Sequence, residues 1–462
     1  MKKSIFLILP AVMLLLASCM DSSGGSGGAG SVRVVLPGSS RAVSGGGNAD
    51  LYKVSLLKGV AVVESQTSVP GGAVEFNEVD AGSYTVDVVA TLGGSLSGLG
   101  SEDVDVAEGE AALCRVLMSR VYTAAAAAKH IEDNNGEEWR VVVAGGIDDA
   151  GLTEIAEALK TVTGPGAISL DLSRTTGLES IGDEKFKDCA FLSAIVLPKG
   201  IENIGKSAFE SCALLESVTL PDGLATIGSS AFNYCTSLSS IEIPDGLATI
   251  GNNAFAYCRS LSSIVIPDSV TTIGSYAFNY CESLSSIEIP NSVTTIGSSM
   301  FHGCKSLSSI EIPDSVTTIG GSAFSGCTSL SSIEIPDSVT TIGSSAFLDC
   351  TSLSSIEIPD SVTTIGDSAF SGCTSLSSIE IPDWVTTIDC AAFSGCTSLS
   401  SIVIPDGVIE IRDAAFQDCT KLKTVEYRGT KALWDNITIY SSYNDALSKA
   451  TIICSDDIIS NN

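Results

Sequence analysis

The chain has 462 residues, of which 44% are hydrophobic and 17% are charged, so it is long enough for two or three folded units and too apolar for disorder throughout. Its formal net charge is -30 at pH 7. That charge repels a phosphate backbone, so we expect no nucleic-acid partner, whereas basic or cation-bridged partners are favoured.

The first 18 residues have the pattern of a secretory signal peptide. Two lysines at positions 2 and 3 precede an apolar run over residues 5–17, which is too short to span a bilayer. The run ends in Leu16-Ala17-Ser18-Cys19, which resembles the lipobox of bacterial lipoprotein signal peptides. That resemblance implies cleavage before Cys19 and lipidation of its thiol. An ordinary secretory peptide with a chance cysteine is the alternative.

Residues 19–30 are rich in glycine and serine, which predicts a flexible tether between a lipid anchor and a folded body. No later segment is apolar enough over 18 residues to span a bilayer, so the anchor is the one expected membrane contact. Met20 follows Cys19, and the aspartate that retains enteric lipoproteins at the inner membrane is absent there. We therefore expect a lipid-anchored envelope protein at the outer membrane or cell surface.

Residues 31–118 are predicted to form a small antiparallel β-sandwich, prealbumin-like or immunoglobulin-like. Short alternating stretches separated by glycine-rich turns predict strands at 32–36, 51–56, 60–63, 73–76, 84–90 and 112–117. The run over residues 76–86 resembles the corner of prealbumin-like or carboxypeptidase-regulatory-like domains. An alanine-rich segment within residues 119–138 predicts a linker helix before the next module.

A repeat dominates the rest of the chain. Eleven of the 15 cysteines recur every 23 residues without a slip, which marks a repeat position with a small buried side chain. This cysteine column consists of Cys189, Cys212, Cys235, Cys258, Cys281, Cys304, Cys327, Cys350, Cys373, Cys396 and Cys419.

One representative repeat begins at Cys327. Its Leu330, Ile333 and Ile335 form the L-x-x-L-x-L core of a leucine-rich repeat, which predicts a short strand that Pro336 ends. The return segment is expected to bury four further side chains and to turn tightly at a glycine; these positions are Val339, Ile342, Ala346, Phe347 and Gly343. The chain therefore predicts a β-rich leucine-rich-repeat solenoid of 23-residue repeats, preceded by the small antiparallel β-sandwich.

The unit resembles the Treponema-type, BspA-like leucine-rich repeat, C-x-x-L-x-x-I-x-I-P-x-x-V-x-x-I-G-x-x-A-F-x-x, from about residue 170 to residue 454. Met300 departs from it at an alanine position, and Asp389 and Arg412 depart from it at glycine positions. Because arginine tolerates a left-handed backbone poorly, we expect altered turns near the C-terminal end. The resemblance implies binding of extracellular-matrix or cell-surface proteins.

Both ends of the solenoid are expected to be capped, since a bare terminal coil would expose core to water. Residues 139–180 predict an N-terminal cap of strand, helix and strand, and residues 181–423 form the solenoid. Residues 424–462 predict a C-terminal cap and tail, in which Trp434 is a cap residue.

A column of glutamates is the candidate binding face, because these side chains are predicted to point outward from successive strands. It consists of Glu242, Glu288, Glu311, Glu334, Glu357 and Glu380, interrupted by Val265 and Val403. Such a column can bind a basic partner or calcium, or can be a solvated face kept for solubility. Calcium needs six to eight oxygens in a cage, which one carboxylate per flat repeat supplies poorly.

We expect no catalytic, metal or cofactor site. The histidines, His130 and His302, lack the strand-turn-helix context of a nucleophile, and glycine clusters lack a phosphate-binding context. Zinc or disulfides in the cysteine column are weaker interpretations than buried free thiols, and Cys390 lies off the column at an exposed turn.

The expected function is adhesion, through binding of a protein or glycan displayed by a host or neighbouring cell. The alternatives are a structural envelope scaffold without a specific host ligand and a calcium-dependent binding module. A solenoid offers extended surfaces more than pockets, which favours the first of these.

Overall fold

A computed structural model describes residues 30–35, 51–58, 61–68, 73–79, 82–92, 95–106, 111–114, 119–133, 139–164, 166–440 and 442–459, with side chains from residue 122 onward. The predicted signal peptide, Cys19 and nearly all of the tether lie outside these residues. The chain divides into two compact units, residues 1–118 and 119–462. Strands and helices are numbered in chain order.

The described strands of the first unit form two β-sheets. Its strands are β1 (Gly30–Val35), β2 (Leu51–Lys58), β3 (Ala61–Ser68), β4 (Ala73–Val79), β5 (Gly82–Leu92), β6 (Ser95–Val106) and β7 (Ala111–Cys114). One sheet has the order β6-β5-β2-β3 and is antiparallel, and the other has the order β4-β1-β7 with β1 and β7 parallel. The sequence predicted neither that parallel pair nor β6, whose glycines and serines have low strand propensity.

The second unit begins with a cap of three parallel strands and two helices. These are β8 (Ser119–Tyr122), α1 (Ala124–Asp133), β9 (Trp139–Gly146), α2 (Asp149–Thr161) and β10 (Ile168–Thr176). The Asp148 side chain caps α2 by accepting a hydrogen bond of 2.8 Å from the Gly151 amide. The strand-helix-strand order is the one predicted for this region.

The helix predicted as a linker is instead part of this cap. Helix α1 packs against α2 and β9, and its Ala127 and Ile131 side chains are fully buried. The reason is its apolar face, which a solvated linker could not hide. The helix itself lies where the alanine-rich segment predicts it, and residues 119–122 before it form strand β8, which was not predicted.

The solenoid winds its coils along two parallel β-ladders. The first ladder contains β12 (Leu192–Val196), β14 (Ser217–Thr219), β17 (Ser263–Val265), β19 (Ser286–Glu288), β24 (Ser378–Glu380), β26 (Ser401–Ile404) and β28 (Thr424–Tyr427). Single bridges continue it between coils, at Glu242–Val265, Glu288–Glu311 and Glu334–Glu357. This is the strand that the sequence predicted.

The second ladder consists of twelve two-residue strands, which the sequence did not predict. They are β11 (Ser180–Ile181), β13 (Asn203–Ile204), β15 (Thr226–Ile227), β16 (Thr249–Ile250), β18 (Thr272–Ile273), β20 (Thr295–Ile296), β21 (Thr318–Ile319), β22 (Thr341–Ile342), β23 (Thr364–Ile365), β25 (Thr387–Ile388), β27 (Glu410–Ile411) and β29 (Thr438–Ile439). It is interrupted between β18 and β20 and between β23 and β25.

A continuous core fills the space between the ladders. The predicted inward positions Leu330, Val339, Ile342 and Phe347 are fully buried, which confirms the repeat core. The phenylalanines of successive coils stack face to face from Phe186 to Phe416, with ring centroids 5.2–5.7 Å apart. Each coil therefore buries its apolar face only because its neighbours cover it.

The repeat glycine has a different role from the one predicted. A Cβ on Gly343 would lie 2.6 Å from the Gly321 nitrogen of the preceding coil, so the glycine allows two backbones to approach closely. The left-handed residue of this turn is Ser345, with φ of 58°. The expectation of strained turns at Asp389 and Arg412 was therefore wrong, and these two side chains form a salt bridge between coils.

The C-terminal end is closed by helices and a returning strand. It contains α3 (Lys431–Trp434), α4 (Asp445–Lys449), β30 (Thr451–Ile453) and β31 (Ile458–Ile459). Trp434 is buried and packs edge-on against Tyr427, and β31 pairs antiparallel with β30. By pairing with β30, the strand β31 covers the edge of β30 that would otherwise be open. Within the described residues, no helix has the length and apolar character needed to cross a membrane.

Candidate binding surface

The first ladder presents an acidic column along its outer side. All six glutamates of the predicted column are exposed, and each stands one residue after a repeat isoleucine of the first ladder, which points inward. Direct bridges place Glu288 opposite Glu311 and Glu334 opposite Glu357 in adjacent coils. Val265 and Val403 occupy the same column, as predicted from their spacing.

The glutamate column continues two coils beyond Glu380, across Val403, and ends at a cation. Glu426 pairs with Val403 and is exposed. It was not among the predicted residues, although it lies 23 residues after Val403 in the sequence. Two residues later, Arg428 reaches back to form salt bridges with Glu380 and, at 3.0 Å, with Asp383. One arginine thus neutralises part of the acidic surface at its C-terminal end.

A second row of carboxylates runs beside the six predicted glutamates, three residues later in each coil except at Asn291. Asp314 and Asp337 line a shallow groove together with Glu311, Glu334 and the intervening serines. Among the described residues, no group of three or more histidine, cysteine, aspartate or glutamate side chains is arranged to hold a metal ion. The lining carboxylates make the groove an acidic surface.

One large aromatic residue interrupts this surface. Trp384 follows Asp383, the residue that Arg428 contacts, and its side chain is 70% exposed. Most other coils have serine or glycine at that position. Tryptophan and arginine are the residue types that most often dominate binding energy at protein interfaces.

The cysteine column lies inside the solenoid and differs in character from this surface. All eleven thiols are buried and free, and each Sγ from Cys212 to Cys419 donates a hydrogen bond to the phenylalanine carbonyl of the preceding coil at 3.0–3.2 Å. Burial raises the pKa of the Cys304 thiol to about 12. Cys390 is exposed.

The repeats match a known family. Residues 169–285, 248–377 and 340–462 match the BspA type leucine rich repeat region, in six copies. The chain belongs to this family. The match extends over the whole solenoid and the C-terminal cap, which agrees with the burial of the repeat positions in every coil.

Several solved structures similar to this BspA-type chain are bacterial leucine-rich-repeat proteins. A leucine rich cell surface protein from Faecalibacterium prausnitzii is 27% identical, covering 66% of this chain and 92% of its own, with a TM-score of 0.41. A leucine-rich repeat protein from Bacteroides ovatus is 30% identical, covering 60% and 87%, with a TM-score of 0.33. The T. pallidum leucine rich repeat protein is 35% identical, covering 36% and 78%, with a TM-score of 0.34. No curated protein matches.

One stretch of the BspA-type solenoid carries an aromatic cluster that the sequence analysis missed. Tyr234, Tyr257 and Tyr280 precede the cysteines of three successive coils, and their rings stack with centroids 4.3 and 4.9 Å apart. His302 of the next coil packs edge-on against Tyr280, and its Nε2 lies 3.2 Å from the Tyr280 hydroxyl. We call these four residues the tyrosine ladder. Their 23-residue spacing was visible in the sequence.

The backbone of this tyrosine ladder is strained. The three tyrosines have φ of 55–60°, a left-handed conformation that costs a residue with a Cβ roughly 1–2 kcal/mol. In later coils the same position is occupied by small residues, glycine at Gly303, Gly326, Gly372 and Gly395 and aspartate at Asp349 and Asp418. Bulky residues kept at a position suited to glycine are found most often where the side chain has a use.

Unsatisfied polar atoms also gather beside the ladder. Among the described residues, the buried side-chain atoms without a hydrogen-bond partner are Asn233 Oδ1, Asn279 Oδ1 and His302 Nδ1. The two asparagines directly precede Tyr234 and Tyr280, and burial lowers the pKa of His302. An unpaired buried acceptor costs about 1–3 kcal/mol, so this region holds unused hydrogen-bonding capacity.

The two histidines have separate surroundings. The His130 ring stacks on Tyr122 in the N-terminal cap, with centroids 4.6 Å apart, whereas His302 belongs to the tyrosine ladder. Each histidine therefore contacts a tyrosine ring within its own part of the fold.

Proposed function

We propose that the protein is a non-enzymatic envelope lipoprotein, anchored through Cys19 at the outer membrane or cell surface, that binds a macromolecular partner in adhesion. The signal-peptide pattern and the lipobox-like Leu16-Ala17-Ser18-Cys19 support export and anchoring. Membership in the BspA-type repeat family supports binding, because a solenoid offers a long open surface to other macromolecules. A protein or glycan of a host or neighbouring cell, extracellular matrix included, is the partner class.

The glutamate column is the observation that carries this proposal. Carboxylates in adjacent coils lie on the strand spacing of about 4.8 Å, where each like-charge pair costs up to roughly 0.8 kcal/mol in water before salt screening. A basic partner surface relieves that repulsion and gains Coulomb energy along several coils. Complementary charge of this kind increases the association rate and selects the partner.

We place the partner contact near the C-terminal end of the solenoid. Trp384 and Arg428 stand at the C-terminal end of the acidic column, where Arg428 is held by Glu380 and Asp383. An exposed tryptophan and an arginine held by two carboxylates suit the centre of a protein interface, and the acidic column suits its rim. The contact is then strongest in the coils between residues 311 and 428.

Charge reversal tests this assignment. The mature chain with Cys19→Ser, which prevents lipidation, is passed over immobilised matrix proteins and bacterial surface extracts at several salt concentrations. We expect saturable binding that weakens with salt, and that weakens at least about tenfold in the variant Glu311→Lys, Glu334→Lys, Glu357→Lys. A matched control reverses three exposed glutamates in the N-terminal cap and its first coil: Glu132→Lys, Glu154→Lys and Glu179→Lys.

Two results would contradict the proposal. Equal loss of binding in the column variant and the control variant would show that total charge matters and the column does not. The absence of saturable binding across the panel would favour a structural envelope scaffold. Melting curves of both variants show whether either change disturbs folding.

A further inference from the structure

The tyrosine ladder is a built surface and not part of the core. The core already has its own aromatic stack, the phenylalanines, and Tyr234 is 43% exposed. Tyrosines recur at this position in three coils only, on a backbone that favours glycine. Packing alone does not require them, because the later coils with glycine there bury the same core.

The ladder leaves one aromatic face uncovered. Tyr257 is covered on both sides by its neighbours, and Tyr280 is covered by Tyr257 on one side and approached by His302 and Gly303 on the other. The coil before Tyr234 has only Ser211 at the equivalent position. The stack therefore ends at Tyr234, whose outer ring face lies above the small side chain of Ser211. We call this end of the stack the ledge; the phenol groups of the ladder form a row along its edge.

Charges are paired on both sides of Tyr234. In the preceding coil, Lys187 forms a salt bridge of 3.1 Å with Glu210, the residue before Ser211. One residue after the column cysteines stand Arg259, Glu282 and Lys305, and both cations lie near Glu282, at 3.8 and 3.2 Å. In a chain with a net charge of -30, this is a surface where charges are compensated. A ligand that is itself uncharged fits it best.

We propose that the tyrosine ladder is a carbohydrate-binding site, in which a neutral pyranose ring stacks on the uncovered face of Tyr234 and the adjoining sugar hydroxyls bond along the phenol row. A pyranose has an apolar C–H face and a rim of hydroxyls, which matches the apolar ring and polar tip of tyrosine. The site is distinct from the glutamate column, which lies eight residues later in each coil.

Calorimetry tests the proposal with defined sugars. The mature chain with Cys19→Ser is titrated with laminarihexaose, mannohexaose and chitohexaose. We expect saturable binding of at least one, weakened about tenfold or more by Tyr234→Ser, which installs the residue of the preceding coil and so preserves the fold. The matched control is Tyr276→Ser, since Tyr276 is similarly exposed with φ of 62° but lies outside the ladder.

The outcomes separate this site from the proposed function. Sugar binding that survives the glutamate reversals but not Tyr234→Ser supports the ladder whether or not a protein partner exists. No binding of any hexasaccharide, or equal binding by wild type and Tyr234→Ser, overturns the proposal. Loss of matrix-protein binding in Tyr234→Ser without any sugar binding would reassign the ladder to a protein contact.

Discussion

A methyl group added at the repeat glycine is expected to separate two coils. A Cβ on Gly343 lies 2.6 Å from the nitrogen of Gly321 and 2.7 Å from the carbonyl carbon of Gly320. Both are backbone atoms, so neither can rotate away. Ordinary contact of about 3.4 Å requires the coils to part by about 0.8 Å. That movement stretches the hydrogen bond of 2.8 Å from the Gly343 amide to the Ile319 carbonyl.

The same substitution two coils earlier is expected to be tolerated. A Cβ on Gly297 has its nearest neighbours at 3.4 Å, in Ser275, because the second ladder is interrupted here between β18 and β20. Met300 fills the alanine position of this coil and distinguishes it from its neighbours. Gly343→Ala and Gly297→Ala therefore add the same methyl group at the same repeat position, but the distance to the preceding coil differs between the two sites.

We expect Gly343→Ala to destabilise the solenoid by about 1–3 kcal/mol, the usual cost of overpacking, and Gly297→Ala to leave its stability nearly unchanged. Thermal unfolding followed by circular dichroism measures the difference, at about 2–4 °C per kcal/mol for a domain of 150–250 residues. Hydrogen exchange locates the change in the coils around residue 343, since repeats couple mainly to their neighbours. Equal melting temperatures for the two variants would refute the close-approach explanation.

Two further predictions concern the core. Phe347→Ala removes a ring that stacks on Phe324 and Phe370 at 5.5 and 5.4 Å, and we expect a loss of about 3–5 kcal/mol in chemical denaturation, with a smaller loss for Phe347→Leu. Burial raises the pKa of Cys304 from 9.0 to about 12, so the folded state keeps a proton that the unfolded state releases. The stability that this thiol contributes is complete below pH 9 and falls as the pH rises towards 12. We expect Cys304→Ala to lose less melting temperature over this pH range than the wild type. The same slope of melting temperature against pH in both proteins would contradict this prediction.

The repeat core could be predicted from the sequence because its period is fixed. A side chain that recurs in phase through eleven coils must face the same way in each, so the recurrence by itself places Leu330, Ile333 and Phe347 inside. The cap followed from ordinary strand and helix patterns. The family assignment rests on the same recurrence.

The remaining features depend on distances between coils, which one sequence does not contain. A two-residue strand such as Thr341–Ile342 has no alternation to recognise, so the second ladder was missed. A glycine needed for close approach looks the same as one needed for a left-handed turn, so Gly343 was assigned the role that Ser345 performs. The helix at residues 124–133 was found, but it was taken for a linker because its packing against α2 is a tertiary effect.

The central claim, display of a binding solenoid outside the cell, is tested most directly by protease shaving of intact cells that express the full chain. A periplasmic marker protein verifies that the cells stay sealed, and Cys19→Ser provides the unanchored control. We predict that protease removes the solenoid from intact wild-type cells, while Cys19→Ser releases it into a soluble fraction. A solenoid that stays protected until the outer membrane is opened would contradict surface display and would favour an envelope scaffold.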